Sequence, residues 1–291
     1  MRSEAFEVSG PLHASVRVEH GHVFVQHGSG VEQARVTLSP MAPGDQVAAD
    51  LIDRAVVELR EGGVVVSVPN GPAGARGSGG TVVVQSAGGM TVTQNLHNVS
   101  VGTNIVGLSM VNGRVVSAGD VRFGGGGVVL GGVVAGDKVT SGGGVRVNVL
   151  LPDDSNVTVK TVSAGLEVGS FGEWSLDTVD FDTTSGDLHV REAQTVTART
   201  ISGDVVVDAA ASARITSTTG DVELEVGRRA EVSTVSGDVA VRTVRDGVAV
   251  SVATVSGDIR VSTSAPSFGV TLSTSTVTGR VRGPRTAAQG R

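Results

Sequence analysis

Thr234-Val235-Ser236-Gly237-Asp238-Val239-Ala240-Val241 and, twenty residues on, Thr254-Val255-Ser256-Gly257-Asp258-Ile259-Arg260-Val261 repeat one pattern almost residue for residue. Working outward, Gly-Asp recurs at 186–187, 203–204, 220–221, 237–238 and 257–258, in steps of 17, 17, 17 and 20 residues. A variant, Thr278-Gly279-Arg280-Val281, follows 22 residues later. Repetition at such a period is the mark of a stacked repeat architecture. The glycines Gly186, Gly203, Gly220, Gly237, Gly257 and Gly279 are read as structural, because a corner needs a residue that tolerates positive φ or close backbone approach.

One and three places after the acid stand Leu188 and Val190, Val205 and Val207, Val222 and Leu224, Val239 and Val241, Ile259 and Val261. This is the period-2 alternation of a half-buried strand. Between them His189, Val206, Glu223, Ala240 and Arg260 face outward. Before the glycine, Thr183, Thr200, Ser217, Thr234, Thr254 and Thr276 form one hydroxyl column, and Ser185, Ser202, Thr219, Ser236, Ser256 and Thr278 a second. The intervening Ile201, Val235, Val255 and Val277 are expected to point inward.

A 17–22-residue unit is too short to fold alone, so each coil needs neighbours stacked ~4.8 Å away. The fold expected is all-β, a single-stack β-solenoid (β-helix) of 17–22-residue coils. Composition agrees: 42 glycines, six phenylalanines, one tryptophan and no tyrosine leave an interior of Val, Ile, Leu, Ala and Thr. The same 17-residue step at Gly102-Thr103, Gly119-Asp120 and Gly136-Asp137 suggests that the glycine-rich middle joins the stack, giving about eleven coils between Thr81 and Gly283.

Residues 1–70 read differently. Strand-like runs at Ala14–Glu19, Val23–Gln26, Val31–Leu38, Val56–Arg60 and Val64–Val68 surround one helical candidate from Asp45 to Arg54, with Asp45 as N-cap. This segment is expected to be a β-rich cap with one short helix, since an uncapped end exposes backbone and core. Residues 71–283 are assigned to the solenoid, with linker composition over 69–80, and 284–291 to a flexible tail.

The repeats at Thr234–Val241 and Thr254–Val261 resemble the bacterial "putative adhesin" family, domain of unknown function 4097. So do the N-terminal layout ending in Val64-Val65-Val66-Ser67-Val68-Pro69 and the run Val149-Leu150-Leu151-Pro152-Asp153-Asp154-Ser155-Asn156-Val157. The similarity spans nearly the whole chain. It implies a β-solenoid and an adhesin-like role, and it carries over no catalytic residues.

Several site readings compete with structural ones. The column Asp187, Asp204, Asp221, Asp238 and Asp258 could in principle bind Ca²⁺. Turn chemistry is the simpler cause, because Asp beside Gly accepts backbone hydrogen bonds at corners. Adjacent acids 4.8 Å apart repel by only ~0.9 kcal/mol in water, so no counter-ion is demanded. The Thr/Ser columns suggest an ice-binding surface, but β-propensity explains them equally. His13, His20, His22 and His27 cluster within fifteen residues without an evident third metal ligand, and Gly21-His22-Val23 reads as a corner with His in place of Asp. Trp174 and Phe181 could anchor a partner but read more simply as a local core plug, and His189 reads as a surface residue.

No cysteine, nucleophile elbow, zincin motif, P-loop or dinucleotide fingerprint is present, so no catalytic residue, cofactor or metal is assigned. The expectation is a non-catalytic, adhesin-like scaffold presenting Thr/Ser and Asp columns to a protein partner or to copies of itself. A polysaccharide-active β-helix enzyme is the alternative, and a Ca²⁺- or ice-binding solenoid the second. Carbohydrate is the weaker partner class. A net charge of −6 with interspersed signs argues against nucleic acid. No signal-like or membrane-spanning stretch is seen, so the expected location is cytoplasmic, with the cell surface as the alternative that the family name offers.

Overall fold

The structure is a computed structural model that describes residues 1–60, 62–70, 80–87, 90–97, 109–111, 114–116, 121–124, 127–130, 133–135, 143–170, 176–264 and 269–284. Its N-terminal elements are β1 (Arg2–Glu7), β2 (His13–Gly28), β3 (Gln33–Pro40), α1 (Gln46–Arg54), β4 (Val56–Arg60) and β5 (Gly63–Ser67). Then come β6 (Gly80–Ala87), β7 (Met90–His97), β8 (Ser109–Val111), β9 (Arg114–Val116), β10 (Val121–Gly124), β11 (Gly127–Leu130) and β12 (Val133–Ala135). The repeat region begins with β13 (Val145–Pro152), β14 (Asn156–Ser170), β15 (Leu176–Ser185), β16 (Leu188–Val190), β17 (Ala193–Ser202) and β18 (Val205–Thr219). It continues through β19 (Val222–Ser236), β20 (Val239–Thr243), β21 (Val248–Ser256), β22 (Ile259–Thr263), β23 (Val270–Thr278) and β24 (Val281–Arg282).

The chain divides into two compact units. Residues 1–70 and 144–291 make the first, and residues 71–143 the second. In the first unit the strands stack parallel and in register, each coil on the next. One sheet runs through β14, β15, β17, β18, β19, β21 and β23, and the other through β14, β16, β18, β19, β20, β22 and β24. The fold is therefore the all-β solenoid read from the repeat. In the second unit the described strands pair antiparallel, as β6–β7, β8–β9 and β10–β11–β12. The parallel stack accordingly holds fewer coils than eleven. Gly102, Gly119 and Gly136, on which that count rested, lie outside the described residues.

The N-terminal segment enters the stack directly. β2 pairs parallel with β14 over nearly its whole length, so it forms a coil. Beyond it one sheet is extended by β5 and then antiparallel β4, and the other by β13, antiparallel β3 and finally β1. Helix α1 closes this end of the core. Asp45 caps it by accepting from the Ala48 amide at 3.0 Å, and Ala48, Leu51 and Ile52 are buried.

The interior is one continuous cluster of Val, Leu, Ile and Ala running from Leu12 to Val261, with Phe181 its only buried aromatic among the described residues. Burying each Val, Leu or Ile side chain contributes roughly 1.5–3 kcal/mol, and each Ala less. Leu188, Val190, Val205, Val207 and their equivalents lie inside, as the alternation requires.

The residues before the glycine correct the reading. Ile201 is 55% exposed, and Val235, Val255 and Val277 are also exposed, while Thr183, Thr200, Ser217, Thr234 and Thr254 are buried. The alternation changes phase at the corners: Thr200 and Val205, on either side of Gly203, both face inward although they lie five positions apart. A strand alternates only while it stays extended. The corner glycines leave that conformation, with φ of +145° at Gly203 and +142° at Gly237, and reset which side faces in.

Candidate functional site

The repeated corner is where the sequence places most of its chemistry. At each step the glycine lies so close to the coil beneath that a Cβ would overlap a carbonyl oxygen, that of Gly220 under Gly237 and of Gly237 under Gly257. The neighbouring acid fastens the next coil. Asp187 Oδ1 accepts from the amide of Asp204 at 2.9 Å, Asp204 from Asp221 at 2.9 Å, Asp221 from Asp238 at 2.8 Å and Asp238 from Asp258 at 2.8 Å. The ladder ends where Asp258 accepts from the Arg280 amide at 2.8 Å. In the other direction the amides of Leu188, Val205, Val222 and Val239 donate to the carbonyls of Asp204, Asp221, Asp238 and Asp258.

The Asp column thus has a structural task in each coil from Asp187 to Asp258. It stays in register although the steps lengthen from 17 to 20 and 22 residues, because the extra residues fall in sequence between β20 and β21 and between β22 and β23. No group of three or more His, Asp or Glu with metal-binding geometry exists among the described residues. Replacing Asp238 by alanine removes the acceptor for the Asp258 amide and is expected to cost about 1 kcal/mol in urea unfolding, while Asp238→Asn, which keeps an oxygen there, costs less. Addition of Ca²⁺ is expected to leave the melting temperature of the wild type unchanged, and a rise of several degrees would restore the cation reading.

The first hydroxyl column lines the inside of the corner. Ser217 Oγ donates to the Thr219 carbonyl at 3.1 Å, and Thr234 and Thr254 reach the carbonyls of Ser236 and Ser256 at 3.4 and 3.3 Å. These are local side-chain to backbone bonds that shape a turn. In the second column Thr219 donates to Ile201 O at 2.9 Å and Thr278 to Val255 O at 3.1 Å, each to the adjacent coil. The paired columns therefore do not form one flat hydroxyl surface.

The structure shows instead a surface that the sequence reading missed: the outward side of the long strands. Thr178, Thr195, Ser212 and Arg229 stand in one register row, Asp180, Thr197, Arg214, Glu231, Ser251 and Ser273 in the next, and Asp182, Arg199, Thr216, Ser233, Ala253 and Ser275 in a third. Alternation from buried Val179, Val196, Ala213, Ala230 and Val250 would have located them, had the phase been counted from the middle of the strand.

The four N-terminal histidines diverge. Gly21, with φ +136°, occupies a corner position against Val145, as the sequence suggested. His20 Nδ1 lies 2.7 Å from Ser163 Oγ, and its pKa is lowered by burial, an effect partly opposed by the nearby Glu19 carboxylate. His22 lies 3.7 Å from Glu167. His27 is fully buried with Nδ1 2.9 Å from Asp153 Oδ1. His13 opens β2 at an exposed position. His189 is a surface residue paired with Asp208 at 3.1 Å. Phe181 is buried in the core, whereas Trp174 lies outside the described residues.

A parallel stack pinned by a glycine–aspartate corner, with polar rows on its outer face and no assembled catalytic constellation among the described residues, defines a β-solenoid repeat protein. The chain belongs to the Toastrack DUF4097 family, whose model matches residues 77–284. It is similar to a solved structure described as a putative adhesin from Bacteroides fragilis, at 12% identity and a TM-score of 0.49, covering 97% of this chain and 96% of that one. A putative adhesin from Parabacteroides merdae gives 9% identity and a TM-score of 0.40 over 97% and 95% of the two chains. A putative lipid binding protein from Parabacteroides distasonis gives 11% and 0.41 over 97% and 96%. No curated protein matches the sequence.

Proposed function

We propose that the protein is a non-catalytic interaction scaffold that holds an extended partner, a protein or a polysaccharide, along the outer rows of its long strands. The observation that carries this reading is the row Asp180, Thr197, Arg214, Glu231, Ser251 and Ser273, in which hydrogen-bonding side chains recur at every coil on a rigid parallel sheet. Each contact is weak, and affinity arises from their number along the sheet. In this reading the acids and the buried threonines build the scaffold and the long-strand rows meet the partner.

Biolayer interferometry against a panel of host polysaccharides and surface proteins tests it. A substitution in one coil, Thr197→Ala, is expected to weaken binding a few-fold, and the triple change Thr197→Ala, Arg214→Ala, Glu231→Ala by about a hundredfold or more. Loss as complete for the single variant as for the triple points to a discrete pocket and overturns the proposal. Release of reducing ends from any polysaccharide in the panel overturns its non-catalytic part.

A further inference from the structure

The two ends of the stack are built differently, yet among the described residues both present strands paired on one side only. At the C-terminal end β23 pairs only with β21 and β24 only with β22 among the described residues. Their core-facing side chains lose the cover that every earlier coil has. Leu272 is 36% exposed where its register partner Val250 is 2% exposed, and Val281 is 44% exposed where Ile259 is fully buried. Such an edge offers unpaired amides and carbonyls beside uncovered apolar surface, a template for a further strand.

The N-terminal end ends in β1 and β4, each paired on one side only among the described residues, with Val56 and Leu59 exposed on β4. Tracing the sheets shows how the ends correspond. β4 and β23 are the opposite edges of one sheet, and β1 and β24 those of the other. Following the strand directions, β23 would meet a second molecule's β4 antiparallel, and β24 would meet its β1 parallel.

Charge selects between second copies in opposite orientations. After Asp258 the sequence has no acid, while Arg260, Arg280, Arg282, Arg285 and Arg291 follow. Residues 1–70 hold nine acids against five arginines; on the edge strands Arg2 pairs with Glu4 on β1 and Arg60 with Glu58 on β4, and Glu7 leaves the edge with a net negative charge. Two C-terminal ends meeting face to face would bring Arg280 and Arg282 against their own copies, and like charges suppress that encounter.

We propose that this protein self-associates head to tail, the C-terminal coil of one molecule docking through β23 and β24 onto the acidic N-terminal edge of a second copy. A heterologous contact of this kind does not close on itself and extends into a filament. The inference stands independently of the partner proposed for the outer rows.

Sedimentation velocity on the full chain tests it, over a concentration series at about 20 mM and about 500 mM salt. The mean mass is expected to rise with concentration at low salt, and association to weaken at least about tenfold at high salt. Arg280→Glu with Arg282→Glu is expected to abolish assembly, as is Glu7→Lys with Glu58→Lys, each with an unchanged melting temperature. An equimolar mixture of the two variants restores assembly, because each reversed end then meets an opposite charge. A wild type that stays monomeric throughout the series overturns the proposal without reference to any variant. A dimer that grows no further and persists in the Glu7→Lys, Glu58→Lys protein also overturns it, in favour of a two-fold contact between C-terminal ends.

Discussion

Replacing Gly237 by alanine is expected to destabilise the fold by about 3 kcal/mol or more, through two effects that reinforce each other. Gly237 has φ +142°, a conformation that side-chain-bearing residues rarely adopt, and its missing Cβ is the space taken by the Gly220 carbonyl. The obstacle is backbone, so no rotamer change relieves it. Gly247 supplies the control. Its φ is +72°, but nothing lies within 4 Å of where a Cβ would sit, so Gly247→Ala carries only the conformational cost, ~1 kcal/mol. Chemical denaturation of the two variants checks the difference. Equal losses would mean that coil-to-coil contact at the corner contributes little.

The second large effect concerns neighbours in sequence. Thr234→Lys is expected to cost at least about 3 kcal/mol, because Thr234 is 4% exposed and an ammonium there would be buried without a partner. Val235→Lys, one residue on, is expected to stay within about 0.5 kcal/mol of wild type, because Val235 is half exposed. Urea midpoints of the pair decide it. An alternation carried unbroken through the glycine requires the reverse order, with Val235→Lys the damaging change.

That reversal marks the boundary of what the sequence made legible. The stack itself was readable from Thr234–Val241 and Thr254–Val261, since equivalent residues recur faster than any independent unit can fold. The inward Val and Leu after the acid and the Asp45 cap of α1 were readable for the same local reason. The phase of Ile201, Val235 and Val255 was not, because a corner glycine interrupts the extended backbone on which counting by twos depends. Reading those valines inward placed the hydroxyl column on the surface and hid the long-strand rows.

Long-range pairing was harder still. Nothing local to His13–Gly28 announces that it lies against Asn156–Ser170, some 143 residues away, and the His20–Ser163 contact follows from that pairing alone. The corner acids present the opposite case. Their role as acceptors was legible from Asp beside Gly, but the donor, the amide of the next coil's own acid, is visible only once the coils are stacked.

The absence of cysteine allows the stacking to be probed directly. Ser233 and Ala253 are register partners on adjacent coils, both exposed on the outer face, and Ser275 lies one coil further on. Coils ~4.8 Å apart bring the first pair within the 4.4–6.8 Å Cα separation that a disulfide accepts, and leave Ser233 and Ser275 about 10 Å apart, beyond it. Oxidation in dilute solution, read by mass and by mobility, is therefore expected to cross-link Ser233→Cys with Ala253→Cys intramolecularly and to leave Ser233→Cys with Ser275→Cys reduced. Cross-linking of the second pair in preference to the first would contradict the in-register parallel stack.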